Sequence, residues 1–207
     1  DGHHADMFIV VARTFGEAGQ AHGLSLFIVP KDANGLTVQA LNTVDSHGAA
    51  HLHFEDVAVG EDHVIGAVDA GWEILEPALD RGRIAVAAEA LGSAQAAFDL
   101  TLDYLQTRKQ FGQLIGSFQS LQHRAAKMFT ELELTRSCIG AALSGIDENR
   151  NDTAELASLA KACASELIHL VSNETVQFHG GIGMTDDHDG GLYMKRARVQ
   201  EAMLGGA

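Results

Sequence analysis

Positive charge is scarce in this chain: 14 lysines and arginines stand against 28 aspartates and glutamates, a net charge of −14 over 207 residues. Nucleic acid and anionic membrane surfaces both require a basic face, and this balance excludes them as expected partners. Cysteine is scarcer still. Cys138 and Cys163 fall at apolar positions of helical patterns, so they read as core thiols in a reducing compartment, the cytoplasm, rather than as a disulfide framework. No apolar run approaches the roughly twenty residues of a membrane helix. The start at Asp1 carries neither a methionine nor a basic stretch, so the expectation is a fragment of a longer polypeptide with no signal peptide and no membrane span. What the chain does have is 46% apolar residues, enough to bury a sizeable core.

Hydrophobic periodicity changes near residue 70. Before it, short runs rich in Val, Ile and Phe (Met7 to Arg13, Leu24 to Pro30, Leu36 to Ala40, Ala50 to Val57) alternate with Gly, Asn, Asp and His, which predicts an antiparallel sheet. After it the period is helical. Leu91, Ala94, Phe98, Leu102 and Leu105 form one stripe, and a second helix, capped by Ser117, carries Phe118, Leu121, Ala125, Met128, Leu132, Ile139, Ala142 and Ile146 on one face. The polar run 147–151 breaks that helix. Asp152 with Glu155 resembles a capping box opening a third, whose apolar positions are Leu156, Leu159, Cys163, Leu167, Leu170 and Val171. A fourth helix is expected from about Gly191 to Met203. The fold class is therefore α+β, a β-domain over residues 1–70 followed by a four-helix bundle over 71–207.

Basic residues are few but clustered, at Arg81 and Arg83, at Arg108 and Lys109, and at Lys195, Arg196 and Arg198. An anionic ligand would have to be met by such local cations, although solvated helix faces are the alternative. The segment Gln177-Phe178-His179-Gly180-Gly181-Ile182-Gly183 presents bare backbone N–H groups, but by itself it would also serve as a helix stop.

Taken in order, Arg108-Lys109-Gln110-Phe111-Gly112, Gln119 eleven residues after the arginine, and Gln177-Phe178-His179-Gly180-Gly181 resemble the acyl-CoA dehydrogenase family. The segments from Asp1 to Arg13, Leu24 to Lys31 and His53 to Gly66 resemble later strands of that family's middle β-domain, so the likeness spans essentially the whole chain and implies a partial β-domain ahead of the bundle. The resemblance implies FAD as cofactor and oxidation of an acyl-CoA to a trans-2-enoyl-CoA. It also implies assembly with like or related subunits as a dimer or tetramer, and an electron-transfer acceptor protein. Arg108 is then the phosphate ligand, its paired donors suiting an anion better than the point charge of Lys109. Phe111 lies beside the adenosine portion, and Gln119, Gln177, Gly180 and Gly181 line the nucleotide held by a neighbouring subunit. Asp80 and Arg83, within an Asp-x-x-Arg pattern, meet the acyl-CoA, although three residues apart on a helix they would equally form a surface ion pair.

The sequence departs from the family at the catalytic base. The usual Glu-Gly pair falls on Leu204-Gly205, and the position used by a branched-chain subgroup is Gly82, so the catalytic residue is unknown. Glu201, Glu73 and Glu76 are the nearest carboxylates and read as exposed helix charges. Two alternatives to a dehydrogenase follow: a non-catalytic partner subunit of a heteromeric enzyme, or a flavin oxidase or monooxygenase of the same fold. No metal site is expected. Asp186-Asp187-His188-Asp189 is too contiguous to converge on one ion and suits a helix start capped by Thr185, and His51 with His53 share a strand face without a third ligand. The chain has no Gly-x-Ser-x-Gly elbow for a Ser-His-Asp hydrolase.

Overall fold

The computed structural model describes residues 2–205; Asp1, where the first family-like segment begins, and residues 206–207, the end of the expected helical domain, lie outside them. The chain forms two compact units, Asp1–Ala78 and Leu79–Ala207.

The first unit contains strands β1 (Met7–Arg13), β2 (Leu24–Pro30), β3 (Leu36–Leu41), β4 (Ala49–Phe54) and β5 (Val64–Ile65). Every pairing is antiparallel, but the single expected sheet is two: β1-β2-β5 and β3-β4. Strand β4 stops before Val57 because Asp56 takes a left-handed backbone (φ 51) that a pleated strand cannot continue through. The period of two buries Phe8 of β1 with Val29, its register partner on β2, and leaves Met7, Ile9 and Val11 exposed on the opposite face of β1, where Leu26 of β2 is buried between Val11 and Ile65 of β5.

The second unit comprises α1 (Trp72–Thr107) from Leu79 onward, the two-residue strands β6 (Lys109–Gln110) and β7 (Gln113–Leu114), and helices α2 (Gln119–Asp147), α3 (Thr153–His179) and α4 (Gly190–Ala202). All four helices feed one core, in which Leu91 and Phe98 meet Met128, Leu132 and Ile139 of α2, Leu167, Ile168 and Val171 of α3, and Ala197 of α4. The buried hydroxyls of Thr101 and Thr175 meet at 3.0 Å between α1 and α3, so each satisfies the other away from water.

Helix α3 differs from its expected face: Leu159 is exposed and Cys163 only half-buried, while Ala157, Ala160 and Ala164 are fully buried. Small side chains let neighbouring helix backbones approach, so the seam is built on alanine rather than leucine. The expected caps also differ. Ser117 Oγ donates to the Leu114 carbonyl (2.6 Å), and the chain enters α2 through Phe118 with no side-chain cap. Asp152 precedes α3, but its carboxylate accepts from Arg150 (2.6 and 2.9 Å), which draws it off the helix amides.

Candidate functional site

Helix α1 ends at Thr107, and Arg108 follows with its amide still bonded to the Tyr104 carbonyl (2.9 Å). The Ile115 amide returns to the Arg108 carbonyl (2.9 Å), which closes the β6–β7 hairpin around a two-residue turn, Phe111-Gly112. Both turn residues have positive φ, 54° and 81°, the geometry that matches the twist of a tight hairpin. Glycine is at home there; phenylalanine is not. The Phe111 ring stands 91% exposed, edge-on to Phe118 with 6.1 Å between centroids. The left-handed backbone costs about 1 kcal/mol, and the edge-to-face contact with Phe118 leaves most of the ring in solvent.

At the far end of α3, Gly180 takes φ 62 and ψ −133, a conformation reserved for glycine. A side chain built on Gly180 or Gly181 would meet nothing within 4 Å, so both backbones border open space. That space is a cleft of about 360 Å³ lined by Arg108, Phe111, Gln177, Gly180 and Gly181, with Tyr104, Arg124 and His179 among its other walls. Five of the six residues expected at the cofactor are thus brought together from segments some seventy residues apart. Gln119 is not among the lining residues; it is exposed on the first turn of α2.

Sequence reasoning missed three residues of this cleft. Arg124 pairs with the Glu174 carboxylate and lies over the Phe178 ring, 4.8 Å from its centroid; its signal was a cation on the face of α2 that otherwise points inward. Tyr104 stands one turn before Arg108, and its ring is 4.4 Å from that of His179. His179 is buried, donates Nδ1–H to the Thr175 carbonyl (2.7 Å), and faces His188 with ring centroids 4.0 Å apart. Burial holds its pKa below the usual 6.5 against that hydrogen bond, and His188 adds to the lowering. A flavin nucleotide asks for fixed cations at its pyrophosphate, bare backbone that can be closely approached, and a flat apolar surface. Arg108 and Arg124, Gly180 with Gly181, and Phe111 fit those three demands.

A second locus joins α1 to the end of α4. Asp80 is buried and accepts from Arg83 Nη1 at 2.6 Å, so the two form an ion pair, but a largely buried one rather than the surface pair given as the alternative. Arg83 Nε donates to the Leu204 carbonyl (3.2 Å). Gly82 and Leu204, the two positions at which the resemblance led a base to be expected, come together here: a Cβ built on Gly82 would stand 2.7 Å from Leu204 Cδ1. Beside them is a cavity of about 240 Å³ lined by Arg83, Ser158, Lys161, Ala162, Ser165, Leu204 and Gly205. Glu73 and Glu76 are exposed, as expected. Glu201 is not: it is half-buried, and Arg198 holds its carboxylate at 3.0 Å.

Thr185 does not cap α4. Its hydroxyl donates back to the Ile182 carbonyl (2.7 Å), while the amide of Gly190 at the helix start bonds to His188 Nδ1 (3.0 Å). Among the described residues no group of three or more His, Cys, Asp or Glu is placed to hold a metal ion, and no helix is long and apolar enough to cross a membrane.

Residues 69–207 match the family model described as acyl-CoA dehydrogenase, C-terminal domain. The chain is 33% identical over 202 residues to the mitochondrial short/branched chain specific acyl-CoA dehydrogenase of Rattus norvegicus, covering 96% of this chain and 46% of that protein. Among solved structures it resembles the electron transferring flavoprotein structure from Acidaminococcus fermentans, with TM-score 0.91 and 34% identity over 99% of this chain and 54% of that one. It also resembles the ChsE4-ChsE5 complex of Mycobacterium tuberculosis, with TM-score 0.87 and 29% identity over 99% of this chain and 53% of that one. The chain spans about half the length of the relatives it matches. Family-model match, relatives and fold agree with the order of motifs around the cleft, and the chain belongs to the acyl-CoA dehydrogenase family.

Proposed function

We propose that the protein containing this chain is an FAD-dependent acyl-CoA dehydrogenase that converts an acyl-CoA to a trans-2-enoyl-CoA. The observation that carries this reading is the cleft in which Arg108, Phe111, Gln177, Gly180 and Gly181 converge. When bound, FAD supplies the oxidant that takes the β-hydride. Arg108 would give paired N–H donors to its pyrophosphate, and the Gly180-Gly181 backbone would let the nucleotide approach. Phe111, already extended into solvent, would lay its ring on the adenosine portion. Gln119 would offer its amide from outside the cleft, where a neighbouring subunit's nucleotide could reach it. Asp80 and Arg83 would contact the acyl-CoA as a pre-formed pair. The partners proposed are like or related subunits and an electron-transfer acceptor protein, a reading supported by the similar flavoprotein and two-component structures. Free, half-buried Cys138 and Cys163 suit a reducing compartment, and the cytoplasm is the one proposed.

The Gly82–Leu204 contact favours a second reading, that this chain is the baseless subunit of a heteromeric dehydrogenase. Abstraction of the α-proton needs a carboxylate within hydrogen-bond reach, and both positions where the family puts one are apolar here. The test uses the complete protein. Flavin absorbance that bleaches under anaerobic acyl-CoA with this protein alone supports the first reading and refutes the second. Flavin binding with bleaching only after a related subunit is added does the reverse. Arg108→Ala should lose flavin while Lys109→Ala keeps it; equal loss from both would reduce the cleft to a general cationic surface.

A further inference from the structure

A lysine interrupts the alanine stripe of α3: Lys161 is only 5% exposed, beside fully buried Ala157, Ala160 and Ala164. An ammonium enters a protein interior only where oxygens await its three protons. Lys161 Nζ donates to Ser165 Oγ (2.8 Å), to the Glu201 carbonyl (3.1 Å) and to the Gly205 carbonyl (2.9 Å). With all three protons committed it has none left for a ligand in the adjoining cavity. One main-chain acceptor, the Glu201 carbonyl, is in the last turn of α4, where a helix leaves oxygens without partners and carries negative partial charge; the other, of Gly205, lies beyond the helix end.

The same stretch is held from α1, since Arg83 Nε donates to the Leu204 carbonyl. Two cations from two helices therefore fix consecutive carbonyls, 204 and 205. Between them the backbone is left-handed at Leu204 (φ 56), with φ 117 at Gly205. A leucine does not choose that conformation by its own sterics; the hydrogen bonds impose it. Its outcome is that side chain 204 is directed at Gly82.

We propose that Lys161 is a positioning residue for the acyl site, its ammonium fixing the turn at residues 201–205 so that side chain 204 is aimed at Gly82. The proposal rests on the reading above, that positions 82 and 204 mark where the family places its base. Lys161 acts through the backbone, so the identity of residue 204 does not enter: the turn is set for whichever side chain stands there. Burial lowers the Lys161 pKa, and the Glu201 carboxylate opposes that lowering.

The test compares the complete protein with Lys161→Met and Lys161→Arg by hydrogen–deuterium exchange. In Lys161→Met, peptides covering residues 199–205 should exchange about tenfold faster, with α2 peptides unchanged. Lys161→Arg, which returns N–H donors, should restore most of the protection. Unchanged exchange at 199–205, or equal acceleration through α2 and α3, would overturn the proposal. If Lys161→Met does not fold, Lys161→Gln takes its place, its amide having two N–H donors in place of three; a rise of roughly threefold confined to 199–205 is expected, and no rise overturns the proposal. A second arm adds Leu204→Glu and follows exchange of the α-hydrogen of butyryl-CoA in D2O. Adding Lys161→Met should lower that rate about tenfold with KM nearly constant, and an unchanged rate overturns the positioning role. No α-exchange in Leu204→Glu, with 199–205 still loosened by Lys161→Met, refutes the reading of residue 204 and supports the hold of Lys161 on the turn.

Discussion

Gly180 and Gly181 make a matched pair for separating backbone strain from crowding. A methyl group added at either would meet no atom within 4 Å, so Gly180→Ala and Gly181→Ala introduce no clash. They differ in conformation. Gly180 has φ 62 with ψ −133, a region in which a Cβ costs about 1–3 kcal/mol. Gly181 has no positive φ and lies inside a 3-10 turn, Gly180–Met184, where alanine is tolerated and the lost freedom of the unfolded chain favours it by about 0.4–1 kcal/mol. The two variants should therefore differ by about 2 kcal/mol in unfolding free energy, close to a thirtyfold difference in the unfolding constant. Equilibrium urea unfolding of the flavin-free protein, followed by circular dichroism, reads this without a contribution from cofactor affinity. A difference below about 0.5 kcal/mol would refute the claim that Gly180 is required by its backbone. In the flavin-loaded protein both variants should lose affinity, because each methyl adds bulk to backbone that lines the cleft.

His179 should make acid destabilising: its pKa is held low in the fold, so the unfolded chain binds the extra proton as pH falls below 6.5. Its contribution is fully present above that pH and is lost as pH falls through the depressed value. Urea midpoints at pH 5, 6 and 7 should show a flatter profile for His179→Gln than for the parent, and parallel profiles would contradict this. Burial beside Cys138 pushes the Cys163 thiol up to about 11, so at pH 8 native protein should alkylate there far more slowly than urea-unfolded protein; equal rates by mass spectrometry would refute it. Gly82→Ala and Leu204→Ala should be coupled, since the methyl gained at 82 meets the Cδ1 removed at 204. A double-mutant cycle should return about 0.5–1.5 kcal/mol, and additivity would deny the contact.

Helix positions were legible because burying a face imposes a period: α2 ends where the polar run begins, and α4 lies within a residue of its expected span. The α3 face was harder to read. Leucine at 159 has the right spacing but faces out, since close helix approach selects alanine and apolarity alone does not tell seam from surface. Caps failed for a related reason: the hydroxyl of Ser117 and the carboxylate of Asp152 had nearer partners than the helix amides. Lys161 drew no reading from the sequence, because its main-chain acceptors lie forty or more residues away at 201 and 205.

The sequence by itself carried the family likeness, the α+β class and five residues of the cleft, Arg108, Phe111, Gln177, Gly180 and Gly181, because these rest on local spacing and on the order of short motifs along the chain. Tertiary structure alone decided that the exposed Phe111 ring, two bare glycines and a second arginine, Arg124, share one cleft. It also decided that the Leu204 side chain stands where a Cβ on Gly82 would meet it, with the carbonyls of 204 and 205 held by Arg83 and Lys161. Such meetings depend on helix packing across more than a hundred residues, where directional hydrogen bonds and excluded volume act between groups that no sequence window contains.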